Sequence, residues 1–462
     1  MFLQQMLRGR MADLTDADIA LLRLIDKVMR DNGGQNPTLA EIALAAGLPS
    51  SSRGTIQRQL TRLRPNYVDW SGQARSLHLT PSGLAVLGQT APDLAVQIPI
   101  NDLIVPLLAA GLTRLSMRVE AGEALRAPYD DAWERGARML TLECLTRGVA
   151  APAHLGEVIN LWCRVAPADW PLPLGPAGRL YDEPLLDDGD ELTSLCRELA
   201  QNLVSGDAEL ELSESLMAGV RSQAQARRNQ EGYVTFRRYL IEHPVATQDD
   251  LSDAGARREL SPFAATLHEM YERIPGTAIH NGQLLLCGHC GWTLERADNR
   301  LRCGSPRCRT LTDNFSRGTA TRPYDSADPP LRARRAIRQY VIAPGVYELT
   351  LARRIEAMGL SCQLWPFYDR YDLRVVFENG EVWAIDVKDW KHPHLLGRRL
   401  TTFADGAPDW QRAFFAIPDA RVSENRSYLA TLRNLVRSDD FAIVTISDLL
   451  HAIGRRKEAG HA

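Results

Sequence analysis

The stretch YDLRVVFENGEVWAIDVKDW, residues 371–390, decides the fold of the C-terminal part of this chain. Two apolar, β-branched runs, 373–377 and 382–385, flank Glu378-Asn379-Gly380. Asn-Gly between strand-like runs is the strongest short-range hairpin signal, so the pattern predicts a β-hairpin. Asp372 opens the first strand, and Asp386-Val387-Lys388 closes the second. Residues two apart project from one face of a pleat, which puts an acid and a lysine together. Carboxylates on neighbouring strands can share a divalent cation, and a lysine beside them can orient or deprotonate a water that attacks phosphorus. Mg²⁺ suits this arrangement because it takes one or two carboxylates and keeps its other positions for water and phosphate oxygens.

Upstream, Val346-Tyr347-Glu348-Leu349 opens an apolar periodic segment that stops at Gly359, as a helix does, and residues 361–365 read as a strand. A helix with Glu348, a strand, a strand with Asp372 and a strand with Asp386-x-Lys388 follow one another in an order that resembles the PD-(D/E)xK nuclease superfamily over residues 331–452. Tyr371 stands where that motif has proline. Residues 414–417, 428–436 and 441–446 fit the later strands and helix of such a core. The resemblance implies a restriction-endonuclease-like α/β domain with Glu348, Asp372, Asp386 and Lys388 as catalytic residues and the three acids holding Mg²⁺. The bland alternative is an exposed strand-end ion pair of Asp386 with Lys388, worth little energetically.

A chain of 462 residues, 45% of them hydrophobic, can bury several cores, and its length suggests about three domains. Formal net charge is −3, so any nucleic-acid surface has to be local. The sequence has neither a run of about 18 apolar residues nor a signal-peptide pattern, and a soluble, cytoplasmic protein is expected. Eight cysteines, four of them in one short cluster, suit a reducing compartment with a metal site.

Residues 12–90 read as a winged helix-turn-helix. A helix starts near Thr15-Asp16, Thr38 with Glu41 forms a capping box, residues 55–63 form a recognition helix, 67–79 a wing and 80–84 a closing helix. The stretch resembles bacterial repressor-type winged helices, which implies that Arg53, Gln57, Arg58 and Arg62 face DNA phosphates or base edges. Winged helices also serve as protein–protein modules. Residues 91–280 show helical periodicity in six segments, 103–115, 132–147, 154–165, 190–203, 209–227 and 233–242, and no chemistry. Acidic residues 182–191 read as a solvated face, and Cys144, Cys163 and Cys196 as buried small hydrophobes.

Residues 281–320 carry Cys287-x2-Cys290 and Cys303-x4-Cys308, with twelve residues between the pairs. Two close pairs, each turning through glycine, are what a tetrahedral four-thiolate Zn²⁺ site needs, and the intervening residues can form the hairpin of a zinc ribbon. Four thiolates close the coordination sphere, so this zinc would be structural. Arginines then crowd residues 296–338, and Arg334 and Arg335 are expected to contact nucleic acid beside the acids.

The expected architecture is multidomain, α + α/β: a winged helix-turn-helix, a helical region, a four-cysteine zinc ribbon and a restriction-endonuclease-like core. This combination resembles the endonuclease component of bacterial defence islands that encode a PIWI-type protein and a helicase. The resemblance implies a Mg²⁺-dependent endonuclease acting on DNA, or on an RNA–DNA hybrid, with those two proteins as partners. Double-strand cleavage would call for a homodimer. The competing class is a DNA-binding regulator or scaffold whose nuclease-like domain only grips nucleic acid.

Overall fold

The computed structural model describes residues 15–31, 37–46, 53–64, 67–70, 77–79, 100–172, 174, 180–203, 206–297, 300–306, 308, 320–404, 408–436 and 438–460. The chain divides into two compact units, 1–98 and 99–462.

In the first unit, helices Asp16–Asp31, Leu39–Ala45 and Arg53–Leu63 and an antiparallel pair of short strands, Val68–Asp69 with His78–Leu79, enclose Leu22, Ile25, Ile42, Ile56, Leu60 and Val68. The capping box is present: Thr38 Oγ1 accepts the Glu41 N–H at 3.2 Å, and the Glu41 carboxylate accepts the Thr38 N–H at 2.8 Å. The closing helix expected at 80–84 lies outside the described residues.

The second unit is built around a five-stranded sheet. Helix α1 (Gln230–Glu242) and helix α2 (Ala343–Ala357) precede strands β1 (Ser361–Leu364), β2 (Leu373–Val376), β3 (Val382–Val387), β4 (Arg412–Ile417) and β5 (Ala442–Thr445), and helix α3 (Ile446–Gly460) follows. The strand order is β1-β2-β3-β4-β5, antiparallel across the first two pairings and parallel across the last two. The hairpin is there, with Leu373 opposite Ile385 and Val376 opposite Val382. Phe377 N–H donates to Glu381 O and Gly380 N–H to Phe377 O, both at 2.9 Å, and Gly380 has φ +81°. The loop therefore has three residues, with glycine at the left-handed position that side chains avoid.

Side-chain alternation divides each strand between two cores. Leu373, Val375, Trp383, Ile385, Phe414 and Ala416 pack with Leu349, Ile355, Leu449 and Ile453 on one face. Ala384, Ala413, Phe415 and Ile417 pack with Leu108, Trp133, Trp162, Leu195 and Leu199 on the other. Covering a sheet on both faces explains why its strands read as continuous apolar runs. These cores run across the expected boundaries at 280 and 331: Tyr233, the four cluster cysteines and Ile342 share one of them.

The helices expected in the middle region form, among them Ile100–Glu120, Asp131–Arg147, Ala208–Ala226 and α1. The stretch after α1 is not purely helical, as the sequence reading had it. Val245–Ala246 and Tyr271–Arg273 pair with Leu331–Ala333, and Ile279–His280 pairs with Gln283–Leu286. Strands of two to four residues are too short to print a period of two, and their partners lie outside the region. No helix among the described residues is long and apolar enough to cross a membrane.

Candidate active site and metal centre

Asp372 immediately precedes β2, Asp386 is the fifth residue of β3, and Lys388 follows that strand directly. The register that sets Leu373 against Ile385 brings both acids to one end of the hairpin. Asp372 is buried, its Oδ2 accepts the Val387 N–H at 2.7 Å, and its carboxyl lies near enough to Asp386 to feel its charge. Lys388 Nζ lies 2.7 Å from Asp386 Oδ2, and its backbone N–H is anchored on Ala416 O of β4 at 3.0 Å. Burial, then the charges of Glu348 and Asp386, push the Asp372 carboxyl well above the usual carboxylate range. Burial works against the Lys388 ammonium, but Asp386 and Asp372 outweigh it and hold its pKa above the ordinary lysine value.

Glu348 sits on the buried face of α2 and is close enough to raise the Asp372 pKa. Its own carboxylate is held elsewhere: Arg237 donates to its two oxygens at 3.2 and 3.0 Å, and Trp365 Nε1 donates to Oε2 at 2.5 Å. Burial raises the Glu348 pKa against the opposing charge of Arg237. Glu348, Asp372 and Asp386 do not bring three oxygens within 4.8 Å of one another; among the described residues only the four cysteines form such a set. The aspartates and the lysine meet, and Glu348 stands one step back behind Arg237.

Sequence reasoning missed Arg237, Asp369 and Trp365. Arg237 comes from α1, 111 residues before Glu348, and also pairs with Asp369, which accepts the Tyr233 hydroxyl at 2.9 Å. The Arg237 guanidinium lies 4.7 Å from the Trp365 ring centroid. Trp365, Phe367, Tyr368 and Asp369 all have positive φ, between 45° and 74°, at a cost of about 1–3 kcal/mol each. Gln230 of α1 clamps that turn, donating to Trp365 O at 2.8 Å and accepting the Tyr368 N–H at 2.7 Å. No glycine marks the turn, and an arginine on an amphipathic helix is one of 54 basic residues, so neither carried a signal.

Residues 345–461 match the family model described as REase associating with pPIWI_RE, and residues 104–247 match the one described as pPIWI_RE three-gene island domain Y. No curated protein and no solved structure matches the chain. The two matches support a PIWI-RE island protein with a restriction-endonuclease-associated domain. Glu348, Asp372, Asp386 and Lys388 fall in the first match and Arg237 in the second, so the Arg237–Glu348 pair joins the two matched segments.

The sulfurs of Cys287, Cys290, Cys303 and Cys308 all lie within 4.8 Å of one another, and all four residues are buried. Gly291, with φ +68°, closes the first knuckle by donating to Cys287 O at 2.8 Å, and Leu294–Ala297 pairs with Arg300–Cys303 as the intervening hairpin. The cluster could hold a metal ion such as zinc. Hydrogen bonds from Cys290, Cys303 and Cys308 pull the Cys287 thiol down, while the same sharing with Cys287 pushes Cys290 and Cys308 up, as expected where one negative charge serves several sulfurs.

The expected nucleic-acid contacts are placed less openly. Arg335 is directed inward, its guanidinium paired with Glu120, Glu191 and Glu209, and Arg334 Nε donates to Glu269 O at 2.5 Å. In the first unit Gln57, Arg58 and Arg62 are exposed on helix Arg53–Leu63, with Arg62 paired to the buried Asp18; Arg53 begins that helix.

Proposed function

We propose that this chain is a divalent-cation-dependent endonuclease that hydrolyses phosphodiester bonds in DNA, working in a PIWI-RE island alongside PIWI-type and helicase proteins. The observation that carries the reading is the meeting of Asp372, Asp386 and Lys388 at one end of a hairpin, with Glu348 behind them. Two neighbouring carboxyls, one of them driven toward its neutral form, are a donor set that Mg²⁺ would relieve, and their oxygens are the hard ligands that ion prefers. When bound, Mg²⁺ supplies positive charge beside the scissile phosphate and acidity to a water. Asp372, locked by the Val387 N–H, and Asp386 would hold the cation in place. Lys388 would orient the attacking water and stabilise the charge that develops on phosphate oxygens. Glu348, kept in one orientation by Arg237 and Trp365, would hold a water at the edge of the site. Zn²⁺ on the cysteine cluster would be structural, and Gln57, Arg58 and Arg62 would engage DNA from the first unit.

Asp386→Ala and Lys388→Ala should each reduce Mg²⁺-dependent nicking of a circular DNA by roughly 10²-fold or more while the thermal unfolding profile is preserved. Equal nicking by parent and both variants would sink the assignment. The tight engagement of Glu348 by Arg237 is also what a domain that merely grips DNA would keep. Calorimetric titration with Mn²⁺ separates the two, because binding that depends on Asp386 belongs to the nuclease alone.

A further inference from the structure

The arginines that follow the cysteine cluster line a cavity of about 560 Å³ in the second unit. Trp292, Arg302 and Gly304 of the cysteine-bearing segment line it together with Arg332, Arg335 and Arg338. None of Glu348, Asp372, Asp386 and Lys388 lines it.

Acids in the lining already have cations. Arg332 holds Glu272 at 3.0 Å and Glu295 at 2.6 Å, Arg335 holds Glu120 and Glu191, and Arg164 holds Asp190. Arg338 differs. It is 0% exposed, yet its Nε and both terminal nitrogens have no hydrogen-bond acceptor among the described residues, and the Glu209 carboxylate that feels its charge is already paired with Arg197 and Arg335. The Arg338 guanidinium lies 4.2 Å from the Trp292 ring centroid and so close to Gly304 that a Cβ there would come within 2.6 Å of it. A guanidinium cannot shed its proton in a protein, and it brings five donors in a planar fork. Contact with an aromatic ring offers those donors no acceptor. A buried cation needs an anion, and the cavity beside it is large enough to admit one.

We propose that this cavity binds a phosphate monoester, free or carried by a nucleoside, with Arg338 as its buried anchor and Arg302, which lines the same cavity, as a second cation. The fork matches two phosphate oxygens at once, and a dianion suits a wall with a surplus of arginines. A cavity of about 560 Å³ takes a small molecule rather than a polynucleotide backbone, and binding has to uncover the Arg338 fork, which is closed to solvent. Gly304 is then glycine because any side chain would displace the anchor.

The test is calorimetric titration of the full-length, zinc-loaded protein with inorganic phosphate and, separately, with AMP. Saturable binding is expected, with AMP binding more tightly than phosphate if the natural ligand is a nucleotide and equally if it is free phosphate. Arg338→Met should abolish binding, and Arg302→Ala should weaken it roughly tenfold or more, as loss of a charged hydrogen bond does. Should Arg338→Met fail to fold, Arg302→Ala and Arg338→Lys decide, both expected to weaken binding. Absence of binding to either probe would mean that Arg338 only balances the negative charge of the ribbon's thiolates, and would overturn the proposal. Unchanged affinity in the folded variants would overturn it too.

Discussion

At the scale of single residues, the pairing of Arg237 with Glu348 and Asp369 has the largest consequences. Removing one partner of a buried ion pair strands the other charge, at about 3–5 kcal/mol. Arg237→Met should therefore lower unfolding free energy by about that amount, and the double variant Arg237→Met, Glu348→Gln should recover part of it. Urea denaturation of the four proteins measures the coupling, and additive losses would contradict a direct pair. Asp372 and Glu348 both have folded-state pKa values above the usual carboxylate range. Acids of this kind favour the folded state fully below the unfolded pKa of about 4, and that contribution is lost as the pH rises through their folded values. A divalent cation competes with the same protons. The rise in melting temperature produced by saturating Mn²⁺ should thus be larger at about pH 8 than at about pH 5.5. A rise that is equal or greater at the lower pH would place the cation elsewhere.

Among the elements, the hairpin and the convergence of the four cysteines were legible because each carries a local instruction. Asn-Gly forces the chain back at one place, and two short cysteine pairs can converge only if each knuckle turns through a residue such as Gly291, with its φ of +68°. The ribbon's cysteines also belong to the core that holds Tyr233, Leu349 and Ile385. Loss of metal should then be felt well beyond the ribbon. Chelation, or Cys303→Ser, should remove one zinc per chain and lower the melting temperature of the second unit as a whole, read by atomic absorption and circular dichroism. An unchanged melting curve after complete zinc loss would show the metal to be dispensable for the fold. The short strands at 245–246 and 271–273 escaped sequence reading because they exist only through pairing with Leu331–Ala333.

On the scale of the whole molecule, the sheet is flanked by helices from both matched segments. Helices between 100 and 203 cover one face, and the side chains of Lys391 and His392, just after the site strand, are tied to Glu183 and Glu198 in that region. On the other face Ile241 of α1 packs so tightly on Gly345 of α2 that a Cβ there would come within 2.3 Å of it. A fragment of residues 331–462 keeps α2 and α3 on one face but loses the helices between 100 and 203 from the other and α1 from the outside of α2, so it should aggregate or lack a cooperative transition, whereas 99–462 should unfold in a single step. Size-exclusion chromatography and thermal melts of the two fragments decide this, and a monomeric, cooperatively folding 331–462 would refute it.

By itself the sequence determined the local pieces: the hairpin, the order of helix and strands around Glu348, Asp372, Asp386 and Lys388, the cysteine knuckles and the capping box at Thr38. Each depends on residues a few positions apart, where spacing translates directly into geometry. Only the tertiary structure decided that Arg237 and Asp369 crowd the acids, that Arg335 turns inward to three carboxylates, that a left-handed turn without glycine is held by Gln230, and that Arg338 is buried without a hydrogen-bond acceptor among the described residues. Those facts arise from contacts between segments far apart along the chain, 135 residues for Gln230 with Trp365 and 215 for Arg335 with Glu120, and a buried charge leaves no periodic trace in the chain that carries it.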